Sequence, residues 1–315
     1  MIRWFVLFLS LLGVVAHAAE EPATVPMQAR RIGAHSWYVE GLSGAASSEN
    51  QGFMSNAGFV VTPAGVVVFD ALASPPLARR FLAEIRKQTP LPVKLVIVSH
   101  YHADHFYGLQ VFKEAGAEIW AHALARGQTG TEAAAARLAQ RREVLFPWVD
   151  EHTRLLPPDR YLDGDTDLEL GGVHLAIRHV GPAHSAEDLA LLVREDGVLY
   201  GGDLVFKGRV PFVGDADSRA WLAALDRLIA LKPRVLVPGH GVVSETPVDD
   251  LGLTRDYLEY LRRTMGAAVE AMRDFDAAYA ATDWSRYRGL PAFEEANRAN
   301  AYNQYLQMAR ELLGR

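Results

Sequence analysis

Between Leu95 and His105 the chain passes from a wholly apolar run, Leu95-Val-Ile-Val98, across a single serine into His100-Tyr-His-Ala-Asp-His105. A short apolar run of this kind reads as a strand buried on both faces. Four potential ligand side chains then crowd the carboxyl end of that strand, where ligand sites of open α/β sheets gather. A turn there aims His100 and His102 at one point and Asp104 and His105 at a neighbouring one. Pinning three imidazoles and a carboxylate together is costly without a partner charge, so the motif points to bound metal more than to a solvated polar loop.

Composition narrows the chemistry. The chain contains no cysteine, which excludes disulfides, zinc–thiolate sites, Cys-ligated iron–sulfur clusters and Cys nucleophiles. Any metal is held mainly by His, Asp and Glu. Lys and Arg number 32 against 38 Asp and Glu, so there is no basic excess of the kind a nucleic-acid partner needs. Half of the 315 residues are hydrophobic and 22% are charged, an ordinary globular balance that rules out disorder. A chain of this length buries enough surface to hold a core without a staple.

The first segment reads as an address. Met1-Ile-Arg3 is followed by an apolar run from Trp4 to Val15 and by Ala16-His17-Ala18. A basic start, a short apolar middle and a small-x-small exit make a secretory signal peptide. The run falls well short of the roughly twenty residues that span a bilayer. Residues 1–18 are therefore expected to be removed after Ala18, leaving a periplasmic or secreted protein without a membrane span.

The mature chain alternates strands and helices. Gly58 to Asp70 reads as two strands around a Pro-Ala-Gly turn, Pro76 to Lys87 as a helix, Tyr107 to Ala115 as a short helix and Ala117 to Trp120 as a strand. Ala123 to Leu145 reads as mostly helical with a break at Gly127 and Gly130. Strands are expected at Leu168 to Leu170, Val173 to His179, Asp188 to Arg194, Val198 to Tyr200 and Val235 to Val237, with a hairpin turn at Asp196-Gly197. Ser218 is the expected N-cap of a helix running to about Leu231. Long helices follow over Leu251 to Arg273 and Phe293 to Leu313. Strands mixed with helices in this way argue for a layered fold in which helices cover sheets.

Three further ligand candidates follow short strands or lie in Gly-rich turns: His184 in Gly181-Pro-Ala-His184, Asp203 in Gly201-Gly-Asp203 and His240 in Pro238-Gly-His240-Gly. Glycine permits close backbone approach, so each side chain can be turned into a shared site. Alone each would be an ordinary loop residue; their order and strand-end settings make coincidence a poor explanation. His122 follows a strand and could stand behind a ligand, but reads rather as a core or surface histidine; His35, His152, His174 and His179 lack such settings. Trp120, Trp148 and Trp221 read as core or pocket wall. Lys207 and Arg209, just beyond Asp203, are candidates to meet an anionic substrate. Tyr302 and Tyr305 would line the site if the last helix folds back over it.

The series His-x-His-x-Asp-His, His, Gly-Gly-Asp and Pro-Gly-His resembles the metallo-β-lactamase fold superfamily over roughly Ile32 to Ser244, with Asp70 matching the Asp that ends an early strand there. The resemblance implies an α+β fold, an αββα sandwich with the metals at one edge. It implies a catalytic domain over residues 19–245 and a C-terminal helical extension, 246–315, packed on it. It further implies two Zn2+, with iron as the alternative metal. His100, His102 and His184 would hold one, Asp104, His105 and His240 the other, and Asp203 would bridge them as in glyoxalase II. Asn56-Ala-Gly-Phe-Val-Val, Ser99-His-Tyr-His-Ala-Asp-His-Phe-Tyr-Gly108 and Asn300-Ala-Tyr-Asn-Gln-Tyr305 are similar to exported metallo-hydrolases associated with quinoprotein dehydrogenase and sulfur-oxidation systems.

The expected activity is hydrolysis of a small-molecule ester, thioester, lactone or lactam. Two cations trap and deprotonate one water between them, and Asp104, as a ligand touching that hydroxide, would relay the proton as the catalytic residue. Export argues against a cytosolic glutathione-thioester role. The alternatives are a β-lactamase proper, a mononuclear iron persulfide dioxygenase-like oxidoreductase, and a non-enzymatic metal-binding accessory. Protein partners are not legible.

Overall fold

The computed structural model describes residues 21–314; the expected leader over Met1–Ala18 lies outside the described residues. Among the described residues no helix is long and apolar enough to cross a membrane. One sheet contains β1 (Arg30–Arg31), β2 (Ser36–Val39), β3 (Ala57–Thr62), β4 (Gly65–Phe69), β5 (Val93–Ile97), β6 (Glu118–His122) and β7 (Arg160–Leu162), side by side in chain order. Its first four strands are antiparallel and the rest parallel. The second sheet contains β8 (Thr166–Leu170), β9 (Val173–His179), β10 (Leu189–Val193) and β11 (Val198–Phe206) as antiparallel neighbours, with β12 (Val235–His240) parallel to β11 at its edge.

Parallel neighbours need crossover connections, and helices supply them. After β4 the chain forms α1 (Pro75–Gln88), and after β5 it forms α2 (Ala103–Phe106) and α3 (Leu109–Glu114). Next come α4 (Glu132–Leu145) before β7 and α5 (Ser218–Ala230) before β12. The chain closes with α6 (Pro247–Asp250), α7 (Gly252–Glu270), α8 (Phe275–Ala281) and α9 (Phe293–Leu313).

The two-residue period of the strands sorts one continuous apolar run into two cores. Val67 and Phe69 of β4, with Leu95 and Ile97 of β5, face the other sheet and meet Leu175, Ile177, Leu189 and Leu191. Their neighbours Val66, Val68 and Val96 face outward under Leu77, Phe81 and Phe112 of α1 and α3. Across the molecule, Ala190, Leu192 and Leu199 face outward under Trp221 and Leu225 of α5 and Leu258 and Leu261 of α7. The layers are therefore helix, sheet, sheet, helix, the αββα order expected.

Several local expectations are refined. The break at Gly127 and Gly130 is real; both glycines have positive φ, and α4 starts only after Thr131, whose hydroxyl accepts from the Ala134 amide at 3.2 Å. The cap of α5 is Asp217 rather than Ser218: its carboxylate accepts from the Arg219 and Ala220 amides at 3.0 and 2.9 Å. A carboxylate also suits the positive end of the helix dipole. β11 runs six residues beyond Tyr200, with register shifts around Gly202, which places Asp203 inside a strand rather than in a turn. The helix expected over Leu251 to Arg273 forms as α7, and a further short helix, α8, follows it.

The two sheets are tied at one corner by Asp196, in the turn between β10 and β11. Its carboxylate accepts from the Ala34 and His35 amides at 3.1 and 2.8 Å and from the Ser36 hydroxyl at 2.6 Å. Burial opposes its charge, but the Ser36 and His35 donors outweigh burial and hold its pKa below the ordinary carboxylate value. A depressed pKa gives stability that is fully present above the unfolded value, about 3.9, and lost as pH falls through the folded one. Asp196→Ala is expected to lower the unfolding free energy by about 2–4 kcal/mol near neutral pH. Urea titration measures it, and the gap from the parent should narrow below about pH 4.

Candidate metal centre

Four separate stretches meet at the same end of both sheets. The loop after β5 carries His100 and His102, and α2 presents Asp104 and His105 on one short turn. The loop after β9 brings His184, β11 brings Asp203, and β12 ends at His240. The seven residues form two groups: His100, His102, His184 and Asp203, and Asp104, His105 and His240. Asp203 touches both. Its Oδ1 lies 3.1 Å from His105 Nε2 and 3.3 Å from His240 Nε2. Its Oδ2 lies 3.5 Å from His184 Nε2 and 3.9 Å from His100 Nε2. In the first group His184 Nε2 is 2.8 Å from His102 Nδ1. In the second, Asp104 Oδ2 is 3.3 Å from His240 Nε2 and 3.4 Å from His105 Nε2.

These separations suit ions. Donors about 2.0–2.2 Å from one cation stand roughly 3–4 Å from each other. His100 Nε2, His105 Nε2, Asp104 Oδ2 and Asp203 Oδ1 are buried and have no hydrogen-bond partner. Buried polar atoms are nearly always satisfied, so their convergence on common points calls for a cation. The donors are all nitrogen and oxygen, a set that suits zinc and equally iron.

The surrounding hydrogen bonds fix which nitrogen of each ring faces inward. The carbonyl of Met54 can only accept, so His240 Nδ1, 2.7 Å away, carries the proton and its Nε2 keeps a lone pair. His105 Nδ1 donates to Asp70 Oδ2 at 2.8 Å with the same result. The Ser99 hydroxyl donates to the same Asp70 oxygen at 2.8 Å, leaving its own oxygen to accept from His100 Nδ1 at 2.9 Å. One carboxylate thus orients two imidazoles, one directly and one through a hydroxyl. The Ser99 amide, 2.7 Å from Asp70 Oδ1, locks the other oxygen. Asp70 adopts φ 66°, a left-handed conformation uncommon outside glycine, and this bend sends the chain back from β4 beneath the ligand loop.

Electrostatics divides the rings. Burial, reinforced by the neighbouring histidines, holds His100 well below the usual imidazole pKa, and burial with His102 brings His184 down to about 3. Both are neutral donors. Burial also works against a charge on His105, but Asp203, Asp104 and Asp70 outweigh it and raise its pKa well above the ordinary value. The negative field that does so is the field a cation would occupy.

Glycine is required where backbone meets ligand. A Cβ at Gly239 would lie 2.0 Å from Asp203 Oδ1. At Gly202, φ is 53° and a Cβ would lie 2.9 Å from that of Ser99. Asn56 holds the His240 loop: its amide side chain donates to the carbonyls of Pro238 and Gly241 at 2.8 and 2.7 Å. Asp188 holds the His184 loop, accepting from the Ser185 amide and hydroxyl, each at 2.7 Å. Neither role was visible in the sequence, because each acts on a loop distant in the chain or across a turn of unknown shape.

A cavity of about 350 Å³ opens over the ligands, lined by His102, Asp104, Asp203 and His240 together with Met54, Phe106 and Phe212. Arg209 also lines it; its guanidinium is buried, donates to Gly44 O at 2.8 Å and lies beside His240. Lys207, paired instead with Asp250 at 2.6 Å, does not share this position. Tyr302 and Tyr305 do not line the cavity: Tyr302 packs on Phe275 and Tyr305 donates to Arg273 O at 2.8 Å. The last helix reaches the site with its opposite end, through Ala292, Glu295 and Ala296. His122 stacks on His179 with ring centroids 3.6 Å apart and belongs to neither ligand group. Trp221 is core, and its ring packs against His184.

Known proteins share this frame. The metallo-beta-lactamase superfamily model matches residues 50–240. The linear primary-alkylsulfatase of Pseudomonas sp. (strain ATCC 19151) is 25% identical over 238 residues, 64% of this chain and 45% of that protein. The acyl-coenzyme A thioesterase MBLAC2 of Gallus gallus is 32% identical over 163 residues, 48% of this chain and 57% of that protein. The chain thus spans about half the length of these two relatives. A solved metallo-beta-lactamase from Pontibacter korlensis aligns with TM-score 0.57 at 22% identity, covering 74% of this chain and 99% of that one, a likeness of fold alone.

Removing an outer partner of a ligating histidine commonly weakens metal binding by about 10–100-fold. Asp70→Ala, which frees both His105 and His100, is expected to lower metal affinity within that range. Competition against a chromogenic chelator at fixed pH checks it; an unchanged affinity would show that the rings are held by other means.

Proposed function

The chain belongs to the metallo-beta-lactamase superfamily, and from that premise we propose that it is an exported hydrolase holding two zinc ions and cleaving an ester, thioester, lactone or lactam. The observation that carries this reading is the Asp203 carboxylate, with one oxygen turned to each histidine group. His100, His102 and His184 would hold one ion, Asp104, His105 and His240 the other, and Asp203 both. When bound, such a pair would supply Lewis acidity and lower the pKa of metal-bound water.

The chain's own residues supply the rest. Asp104 lines the cavity with Oδ2 directed at the second group and no hydrogen-bond partner on it, which suits it to take up a proton during attack. The Arg209 guanidinium, next to His240, sets positive charge where an oxyanion would develop. Met54, Phe106 and Phe212 give the cavity an apolar side that accommodates an acyl chain or ring and keeps water out. The relatives named as an alkylsulfatase and an acyl-coenzyme A thioesterase are consistent with substrates that combine an apolar part with a hydrolysable group. Export rests on the Met1–Ala18 leader, and amino-terminal sequencing of the protein from fractionated cells tests it.

Purified protein is expected to contain two zinc ions per chain by elemental analysis and to lose hydrolysis of activated esters on dialysis against a chelator. Asp203→Ala should lose at least one ion and lower kcat by about a hundredfold or more; full metal content at the parental rate would remove the bridging role. Nitrocefin turnover would move the reading to a β-lactamase proper. One iron per chain with oxygen uptake on a persulfide would move it to an oxidoreductase.

A further inference from the structure

Helix α4 buries a narrow stripe, Ala134, Leu138 and Leu145. Beside that stripe Arg137, Gln140 and Arg141 line the cavity over the metal centre. Arg137 and Arg141 are one helical turn apart, where like charges repel and weaken a helix. Neither forms an ion pair among the described residues; Arg137 makes one long contact, 3.4 Å, to Gln128 Oε1. Nearby arginines are engaged: Arg142 donates to Asp150 O at 2.6 Å, and Arg154 pairs with Glu114 at 2.7 Å.

The charges on the cavity wall point the same way. Asp104, Asp203 and Glu295 face Arg137, Arg141 and Arg209 around it, so the wall is balanced before any ion is bound. Two divalent cations would leave it strongly positive, and low-dielectric walls focus that field on an incoming ligand. Arg209 is buried against Gly44 and His240 beside the ligands, whereas Arg137 and Arg141 share the cavity wall with Tyr101, Phe106 and Tyr107. A planar guanidinium grips carboxylate, sulfate or phosphate through two parallel hydrogen bonds.

We propose that Arg137 and Arg141 form a subsite for an anionic group carried at the end of the substrate's apolar part, remote from the bond that is cleaved. The preferred substrate is then an anionic amphiphile: a scissile acyl group at the metals, an apolar stretch along the aromatic side, and a carboxylate or comparable oxyanion at α4. This deepens the hydrolase reading and rests on it.

The test compares 4-nitrophenyl monoesters of α,ω-dicarboxylic acids of increasing length with neutral 4-nitrophenyl esters of equal length, on the zinc-loaded protein. The parent is expected to favour the anionic ester by at least tenfold in kcat/KM at one chain length, mainly through KM, with the preference falling as salt is raised. In R137Q/R141Q that ratio should collapse toward one. Equal ratios in parent and variant would overturn the subsite. A non-hydrolysable probe, the ketone analogue of the same anionic ester with CH2 in place of the ester oxygen, keeps the two readings apart. Calorimetric binding that the double variant weakens tenfold supports the subsite even if neither ester turns over, in which case it is the hydrolase reading that fails. Binding equal in both proteins removes the subsite whatever the esters do.

Discussion

Seven donor side chains, six of them buried and His102 half-buried, gather at one end of this molecule, and the inward-facing atoms of four of them have no hydrogen-bond partner. A protein interior does not tolerate such a group unless something outside the chain completes it. The carboxylates attract the positive charge and the neutral rings supply lone pairs, so the site is electrostatically incomplete by design of its own residues. The rest of the fold keeps it from relaxing. Asp70 grips His105 and, through Ser99, His100. The Met54 carbonyl grips His240, while Phe206 stacks on its ring at 5.1 Å and Trp221 packs on His184 at 5.2 Å. None of these partners offers a lone pair or a proton to the inward atoms, so none substitutes for a cation.

Holding seven side chains from distant stretches to within a few ångströms requires a rigid frame, and two sheets sharing one apolar interface provide it. Strand ends are fixed by ladder hydrogen bonds on both sides, so a residue one or two positions past a strand has little freedom. Asp203 sits inside β11 itself, beside β12, which ends at His240. The parallel pairing of these two strands places the Asp203 carboxylate next to His240. The glycines at 202 and 239 permit the backbones to come that close.

The cavity above the two donor groups is built from less regular material. Phe212 stands on the connection between β11 and α5, and Asn300 of α9 orders that connection, accepting from the Val213 amide at 2.9 Å and donating to Pro211 O at 2.7 Å. Asn300 is completely buried, which gives a structural reason for an asparagine in that late helix. Another part of the wall comes from α4, whose narrow apolar stripe leaves most of the helix to face solvent or the cavity. Fixed strand ends hold the reactive groups, and loops and a lightly anchored helix hold whatever tells one substrate from another.

The candidate ligand residues and their order were legible in the sequence because their spacing around short apolar runs is a local pattern, whereas the assignment of His184 and His240 to one group or the other came from the family resemblance. The same holds for the central strands, where a run such as Val66 to Phe69 announces burial on both faces. Elements two or three residues long, β1 and β7, carry no periodic signal, and the turn α2 that presents Asp104 and His105 is too short to read as a helix. Capping chose Asp217 over its neighbour Ser218 through local geometry that composition does not show. Tyr302 and Tyr305 were placed at the site by assuming the direction of a helix whose other end makes the approach. What α4 contributes was also hidden, since Arg137 and Arg141 look like ordinary solvated residues until the fold sets them over the cavity. Sequence determined which atoms can bind metal, because that is a property of side chains and their near neighbours. Tertiary structure alone decided which charges share one enclosed space, because that depends on how layers far apart in the chain are packed.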